Sequence, residues 1–108
     1  MKNIEFYSTM NPDLAFIVSF EDEYYEEGKA LALEGWQAWC FGDEATEHLS
    51  EEEVKDIHDN WGYDEASSYL LSLAGIPHLI QDEWLTDGGE LLPEYENEDI
   101  EFVSCYGD

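Results

Sequence analysis

Residues 14–20 read LAFIVSF, a run that is apolar on both faces of an extended chain. Side chains alternate sides along a strand, so a strand of this composition must be covered above and below. That requirement places it inside a sheet rather than at an edge. Upstream, Ile4 and Phe6 alternate with Asn3, Glu5 and Tyr7, the period-2 pattern of a strand with one buried face. The turn signal NPD at 11–13 separates the two runs, and a hairpin between them is expected.

The rest of the chain reads mainly as helix. Lys29 to Phe41, KALALEGWQAWCF, carries both patterns. Its alanines and leucines and the spacing of Ala32, Trp36 and Trp39 favour a helix, while Gly35 and a partial alternation weaken it. Residues 41–48, FGDEATEH, read as a loop. Ser50 with Glu53 three residues on is a capping box. It opens a helix with a Val54, Ile57 and Trp61 stripe that Gly62 ends. Asp64 is expected to cap a second helix, with Ala66, Tyr69, Leu70 and Leu73 facing inward and Gly75 and Pro77 stopping it. The short link between these helices predicts an antiparallel or angled pair. HLI at 78–80 reads as a short strand and TDGGELLP as a turn. Ile100, Phe102 and Ser104, alternating with Glu101, Val103 and Cys105, read as a final strand. The expected fold is therefore α+β, a single small domain over residues 1–108. It has an antiparallel sheet of three to four strands with two to three helices packed on one face. Phe6, Phe16, Phe20, Trp61 and Phe102 are the aromatic candidates for its core.

Charge decides what such a domain can do. The chain holds 28 Asp and Glu against three Lys and no Arg, a formal net charge of −25 in 108 residues. Ordinary soluble domains carry about 2–8 net charges. An envelope of this sign repels nucleic acid and anionic membranes and attracts cations and basic proteins. There is no G-x-G-x-x-G, P-loop, G-x-S-x-G or H-E-x-x-H. Phosphoryl transfer needs fixed positive charge that the chain lacks, and a non-enzymatic role is expected. Asp56 and His58 lie two apart on a helix and so on different faces. Cys40 and Cys105 lack zinc-site spacing and read as reduced thiols. A loop opening at Asp22 has Glu27 where an EF-hand requires glycine. No cofactor and no metal are expected. The opening residues MKNIEFYSTMNPD lack an apolar signal core, no apolar run is long enough to span a membrane, and a cytoplasmic location is expected.

The acids fall in three blocks. Glu21, Asp22, Glu23, Glu26 and Glu27 surround Tyr24 and Tyr25 in EDEYYEE. Asp43, Glu44, Glu47, Glu51, Glu52, Glu53, Asp56 and Asp59 form the second, opposed only by Lys55. The third runs from Asp82 to Glu101 and includes Glu94, Glu96 and Glu98 around Tyr95. On the Ser50 helix, Glu52, Asp56 and Asp59 share one side at i, i+4, i+7, where a solvated face normally mixes in Lys or Arg. Duplex DNA carries one charge per about 1.7 Å of axis, so 25 charges match roughly 42 Å, or about 12 base pairs. Tyr is a common interface anchor and can stack on a partner's Arg. These features make Glu21–Glu27, Asp43, Glu44, Glu47, Glu51, Glu52, Asp56, Asp59 and Glu94, Tyr95, Glu96 and Glu98 the candidate partner-binding residues.

In size, composition and charge blocks such as EDEYYEE and EEEVKDIHD, the chain resembles the small acidic proteins of phages and mobile elements that mimic DNA. Those proteins inhibit restriction enzymes, CRISPR effectors or repair enzymes. The resemblance implies a DNA mimic that occupies the basic DNA- or RNA-binding surface of a nuclease or CRISPR effector in the host cytoplasm. It implies neither a shared fold nor any carried-over residue. A homodimer would lengthen the mimicry. An immunity protein or antitoxin that neutralises a basic toxin uses the same physics with a different partner. A halophilic domain charged only for solubility is a third reading, against which the 15% aromatic content argues.

Overall fold

The computed structural model describes residues 1–41 and 49–104, with Phe41 described by its backbone alone. Asp43, Glu44, Glu47, His48, Cys105 and Tyr106, and residues 42–48 of the expected 41–48 loop, lie outside the described residues.

The chain runs β1 (Lys2–Tyr7), β2 (Ala15–Phe20), a 3-10 turn at Asp22–Tyr24, then α1 (Tyr25–Phe41), α2 (Glu51–Asn60) and α3 (Tyr63–Leu73). Next come β3 (His78–Ile80), 3-10 turns at Asp82–Trp84 and Pro93–Tyr95, and β4 (Ile100–Ser104). The sheet order is β3-β2-β1-β4. β2 is internal, with all six of its residues buried, as its composition requires. β1 and β2 form the expected hairpin, Ile4 opposite Val18 and Phe6 opposite Phe16, and β3 joins β2 antiparallel. The sheet is mixed rather than wholly antiparallel, because β4 runs parallel to β1. β3 and β4 occupy opposite edges, so the chain between them must cross the sheet before β4 can pair.

Ile4, Phe6, Phe16, Val18 and Phe20 point to one face and meet Ala32 and Trp36 of α1 and Leu71 of α3. Phe6 stacks on Phe16 at 5.2 Å between ring centroids, Phe16 tilts against Trp36 at 5.4 Å, and Tyr63 meets Trp36 edge-on at 5.3 Å. The 29–41 ambiguity resolves as helix. Gly28, Ala32, Gly35 and Trp36 form its buried stripe at i, i+4, i+7 and i+8. Gly35 sits where α1 crosses α3, and a Cβ there would lie 2.6 Å from Ser67 Cα. The buried Ser67 hydroxyl donates to the Ala32 carbonyl at 2.8 Å across the same crossing. α3 therefore packs chiefly along α1 rather than pairing with α2. α2 meets α1 and α3 through a smaller cluster of Ile57 with Ala38 of α1 and Ala66 and Leu70 of α3.

The helix ends follow local chemistry. Ser50 Oγ accepts from the Glu53 N–H at 3.1 Å, as the capping box requires. The cap of α3 is not Asp64 but Gly62, whose N–H donates to Glu65 Oε2 at 3.0 Å. A glycine followed three residues later by an acid is a weaker sequence signal than an Asp. At the other end the Gly75 N–H donates to Ser72 O and the Ile76 N–H to Leu71 O, the Schellman pattern, with Gly75 at φ 72°.

Three expected core residues are not core. Trp61 is 37% exposed, because it is the C-cap of α2 and turns out against Tyr69 at 5.6 Å. Leu73 is 64% exposed, the last residue of α3. Phe102 is 58% exposed, because the parallel register sets Val103 beside Phe6 and Glu101 beside Ile4 on the helix side. Phe102 then falls on the far face. Glu101 is accommodated on the helix side because Lys29 Nζ lies 2.8 Å from its Oε1.

A candidate protein-binding surface

Glu21, Asp22, Glu23, Glu26, Glu27, Glu51, Glu52, Asp56, Asp59, Glu94, Glu96 and Glu98 are all exposed. Of the other described acids, Glu34, Glu53, Asp64 and Glu101 are half-buried and Glu5 alone is buried. The blocks do not merge into one stripe. The first block leaves the end of β2 and enters α1, placing negative charge at the positive end of a 17-residue helix. The second lines the outer side of α2, where Asp56 also accepts from Asn60 Nδ2 at 2.8 Å. The third lies on the segment that crosses to β4. Charge thus clothes the helix layer, one end of the sheet and the crossing segment.

The lysines do little to offset it. Lys29 is held by Glu101, and both Lys2 and Lys29 lie over the ring of Tyr25, at 4.4 and 5.8 Å from its centroid. The amino terminus lies 3.7 Å from Asp22. Only Lys55 stands on the α2 surface.

The tyrosines differ from one another. Tyr24 and Tyr25 are half-buried against the main core, and the Tyr25 ring already meets the chain's own lysines. Tyr95 stacks on Trp84 at 4.7 Å with an 11° tilt. Partial desolvation, then the charges of Glu94, Glu83 and Glu98, push its phenol up from the ordinary value. Burial and the charges of Asp64 and Asp82 do the same for Tyr63. His78 is structural. Its Nδ1 donates to Ile76 O at 3.0 Å, which leaves Nε2 to accept from the Ser68 hydroxyl at 2.9 Å. His58 is exposed beside Asp59.

The far face of the sheet holds what the sequence reading missed. Ala15, Ile17 and Ser19 point away from the helices, yet Ile17 is 0% exposed. The segment crossing from β3 to β4 covers them. It is tied by Gln81 Nε2 donating to Ser19 Oγ, Ser19 Oγ to Asn3 Oδ1, and Asn3 Nδ2 to the Asp99 carbonyl. Its cover is partial. Beside it opens a cavity of about 480 Å³ lined by Glu5, Tyr7, Ser8, Thr9, Pro12, Ala15, Gly89 and Phe102. Glu5, 7% exposed, stands between Ile17 on β2 and Phe102 on β4. Burial holds its carboxyl above the usual carboxylate range. The signal was present in the sequence: Glu5 alternates onto the second face of a sheet whose neighbouring strand is apolar on that face too.

No group of His, Cys, Asp and Glu among the described residues is arranged to hold a metal ion, and none of the described helices is long and apolar enough to cross a membrane. The chain matches no protein-family model, no curated protein and no solved structure.

Proposed function

We propose that this protein is a non-enzymatic mimic of DNA that inhibits a basic nucleic-acid-binding protein by occupying its DNA- or RNA-binding channel, with a restriction nuclease or CRISPR effector as the partner class. The observation that carries the reading is an acidic exterior with little counter-charge, Lys55 being the one lysine among the exposed acids of α2. Every candidate acid among the described residues is exposed, while Lys2 and Lys29 are committed to Tyr25 and Glu101. The molecule measures 40 × 31 × 25 Å. Leaving out Asp43, Glu44, Glu47 and Asp108, roughly one net negative charge falls on every 2 Å of the long axis, close to the ~1.7 Å of duplex DNA. A basic channel that closes on this surface releases its own counterions as it would on DNA, so the complex weakens as salt rises.

The test begins with capture from host lysate at low salt. It then asks whether a 12-base-pair duplex and this protein compete for the captured protein. Competition is expected, with affinity falling steeply as salt is raised. Glu52→Lys with Asp56→Lys, both exposed, should weaken inhibition about tenfold or more while the far-ultraviolet spectrum is retained. A captured protein that binds no nucleic acid, or binding insensitive to salt, would sink the reading. Capture of a toxic enzyme whose own active site is blocked would favour an immunity protein instead.

A further inference from the structure

Two anomalies meet on the far face of the sheet. Glu5 is a buried carboxylate with no hydrogen-bond or ion-pair partner among the described residues, and it lines an open cavity. A buried charge without a partner is costly, and native structures rarely keep one without a use. Directly across the β1–β4 pairing lies Phe102, a large aromatic left 58% exposed in the same cavity. Tyr7, two residues along β1 and so on the same face, supplies a second ring. The remaining walls are Pro12, Ala15 and Gly89 with the hydroxyl residues Ser8 and Thr9, and the Ser8 hydroxyl already accepts from the Met10 and Asn11 N–H groups. A carboxylate at the floor of a pocket with aromatic rings beside it is the chemistry that receives a flat organic cation. The rings stack on its face while the carboxylate accepts its N–H groups, two at once for a guanidinium. An ammonium, compact and strongly hydrated, gains less from such walls. The cavity volume of about 480 Å³ admits the group with its methylene stem.

We infer that this cavity receives the guanidinium group of an arginine carried by the basic partner protein. The guanidinium chemistry stands on Glu5, Tyr7 and Phe102; the source of the arginine rests on the function proposed above. The acidic exterior attracts the partner without orienting it, and one buried carboxylate between aromatic rings fixes a single residue of that partner in place.

The probe is acetyl-arginine-methylamide, titrated into the isolated protein and followed by backbone amide shifts in ¹H–¹⁵N spectra. Its citrulline and lysine counterparts serve as comparisons. Saturable shifts centred on Glu5, Tyr7, Ala15 and Gly89 are expected with the arginine probe, no saturation with citrulline, and weaker binding with lysine. Glu5→Gln should weaken the arginine probe by about tenfold or more, the worth of a hydrogen-bonded charge. Phe102→Leu, at an exposed position, should weaken it severalfold while the far-ultraviolet spectrum is retained. Shifts spread over α2 and the crossing segment without saturation at the cavity would overturn the assignment. So would a citrulline or lysine probe that binds equally well, or a Glu5→Gln protein that binds unchanged. No partner enters this titration, so its failure leaves the reading of the acidic exterior standing. Inhibition of the captured partner that is indifferent to Glu5→Gln, beside successful probe binding, would overturn only the source of the arginine.

Discussion

Replacing Gly35 by alanine sets two opposed effects against each other. Alanine is the better helix former, and at a free position in α1 the exchange would stabilise the fold by about 1 kcal/mol. At Gly35 the added Cβ would lie 2.6 Å from Ser67 Cα, 2.7 Å from Ser67 N and 2.9 Å from the Ala66 carbonyl carbon. All three atoms are backbone of α3, so no side chain can turn aside. Carbon atoms rest about 3.5–4.0 Å apart, and the helices must separate by about 1 Å to accept the methyl group. Overpacking of this kind costs about 1–3 kcal/mol. The same separation stretches the 2.8 Å bond from the Ser67 hydroxyl to Ala32 O beyond hydrogen-bonding range, for about 1 kcal/mol more. The clash outweighs the propensity gain, leaving a net loss of about 1–3 kcal/mol and a fall in Tm on the order of 5–20 °C. Urea titration followed by tryptophan fluorescence should show a lower midpoint with an unchanged slope. Ala30→Gly, at an exposed position in the same helix, measures the propensity effect alone. A midpoint for Gly35→Ala that rises by the amount Ala30→Gly falls would refute the close crossing of α1 and α3.

Three further outcomes are expected. Glu5→Gln should stabilise the protein at neutral pH. The raised folded pKa of Glu5 means its contribution is fully present below the ordinary value of 4.5 and is lost as pH rises through the folded value. Wild type and variant should therefore coincide near pH 4 and diverge above it in thermal melts, and parallel curves would show that Glu5 is not the group responsible. Ser50→Ala should cost about 1 kcal/mol and speed amide exchange in α2 before α3, because the Ser50 hydroxyl holds the first turn of α2 alone. Raising sodium chloride from about 0.05 to 0.5 M should raise Tm by screening a net charge of −25, the opposite sign to the effect expected on the proposed complex.

The elements that the sequence made legible are those whose signal is local. β2 is apolar on both faces, and a strand of that kind has one place in a sheet. The Ser50 cap and the Gly75 stop depend on residues a few positions apart. What stayed hidden depends on pairings far along the chain. Nothing near Phe102 tells that β4 pairs parallel to β1, and that register alone turns Val103 inward and Phe102 outward. Gly35 reads locally as a flaw in a helix, and only the presence of Ser67 explains it. The acidic blocks were legible as charge but not as places: their positions depend on where the fold sets the start of α1, the outer side of α2 and the crossing segment. At Glu5 the only local signal is the apolar far face of the neighbouring strand; a single acid in an alternating strand otherwise looks like a solvent-facing residue, and the cover over that face comes from residues more than 75 positions later.

The placement of the lysines bears on what the charge is for. In a domain made acidic only for solubility, three cations would relieve most repulsion if spaced among the exposed acids, where each would have several negative neighbours. Two of the three are instead drawn to one end of the sheet, over Tyr25 and against Glu101. There they neutralise a carboxylate that faces the helix layer and cover an aromatic ring. An exposed ion pair is worth little, about 0–1 kcal/mol, whereas a half-buried carboxylate beside the core needs a partner. The fold thus uses its few cations where packing demands them and leaves the exterior acids to repel one another. That repulsion costs stability in the free protein and is relieved when a basic surface closes over it. If the partner is basic, as proposed, adding it should therefore raise the Tm of this protein, and a Tm unchanged by a saturating amount of the captured partner would count against that reading.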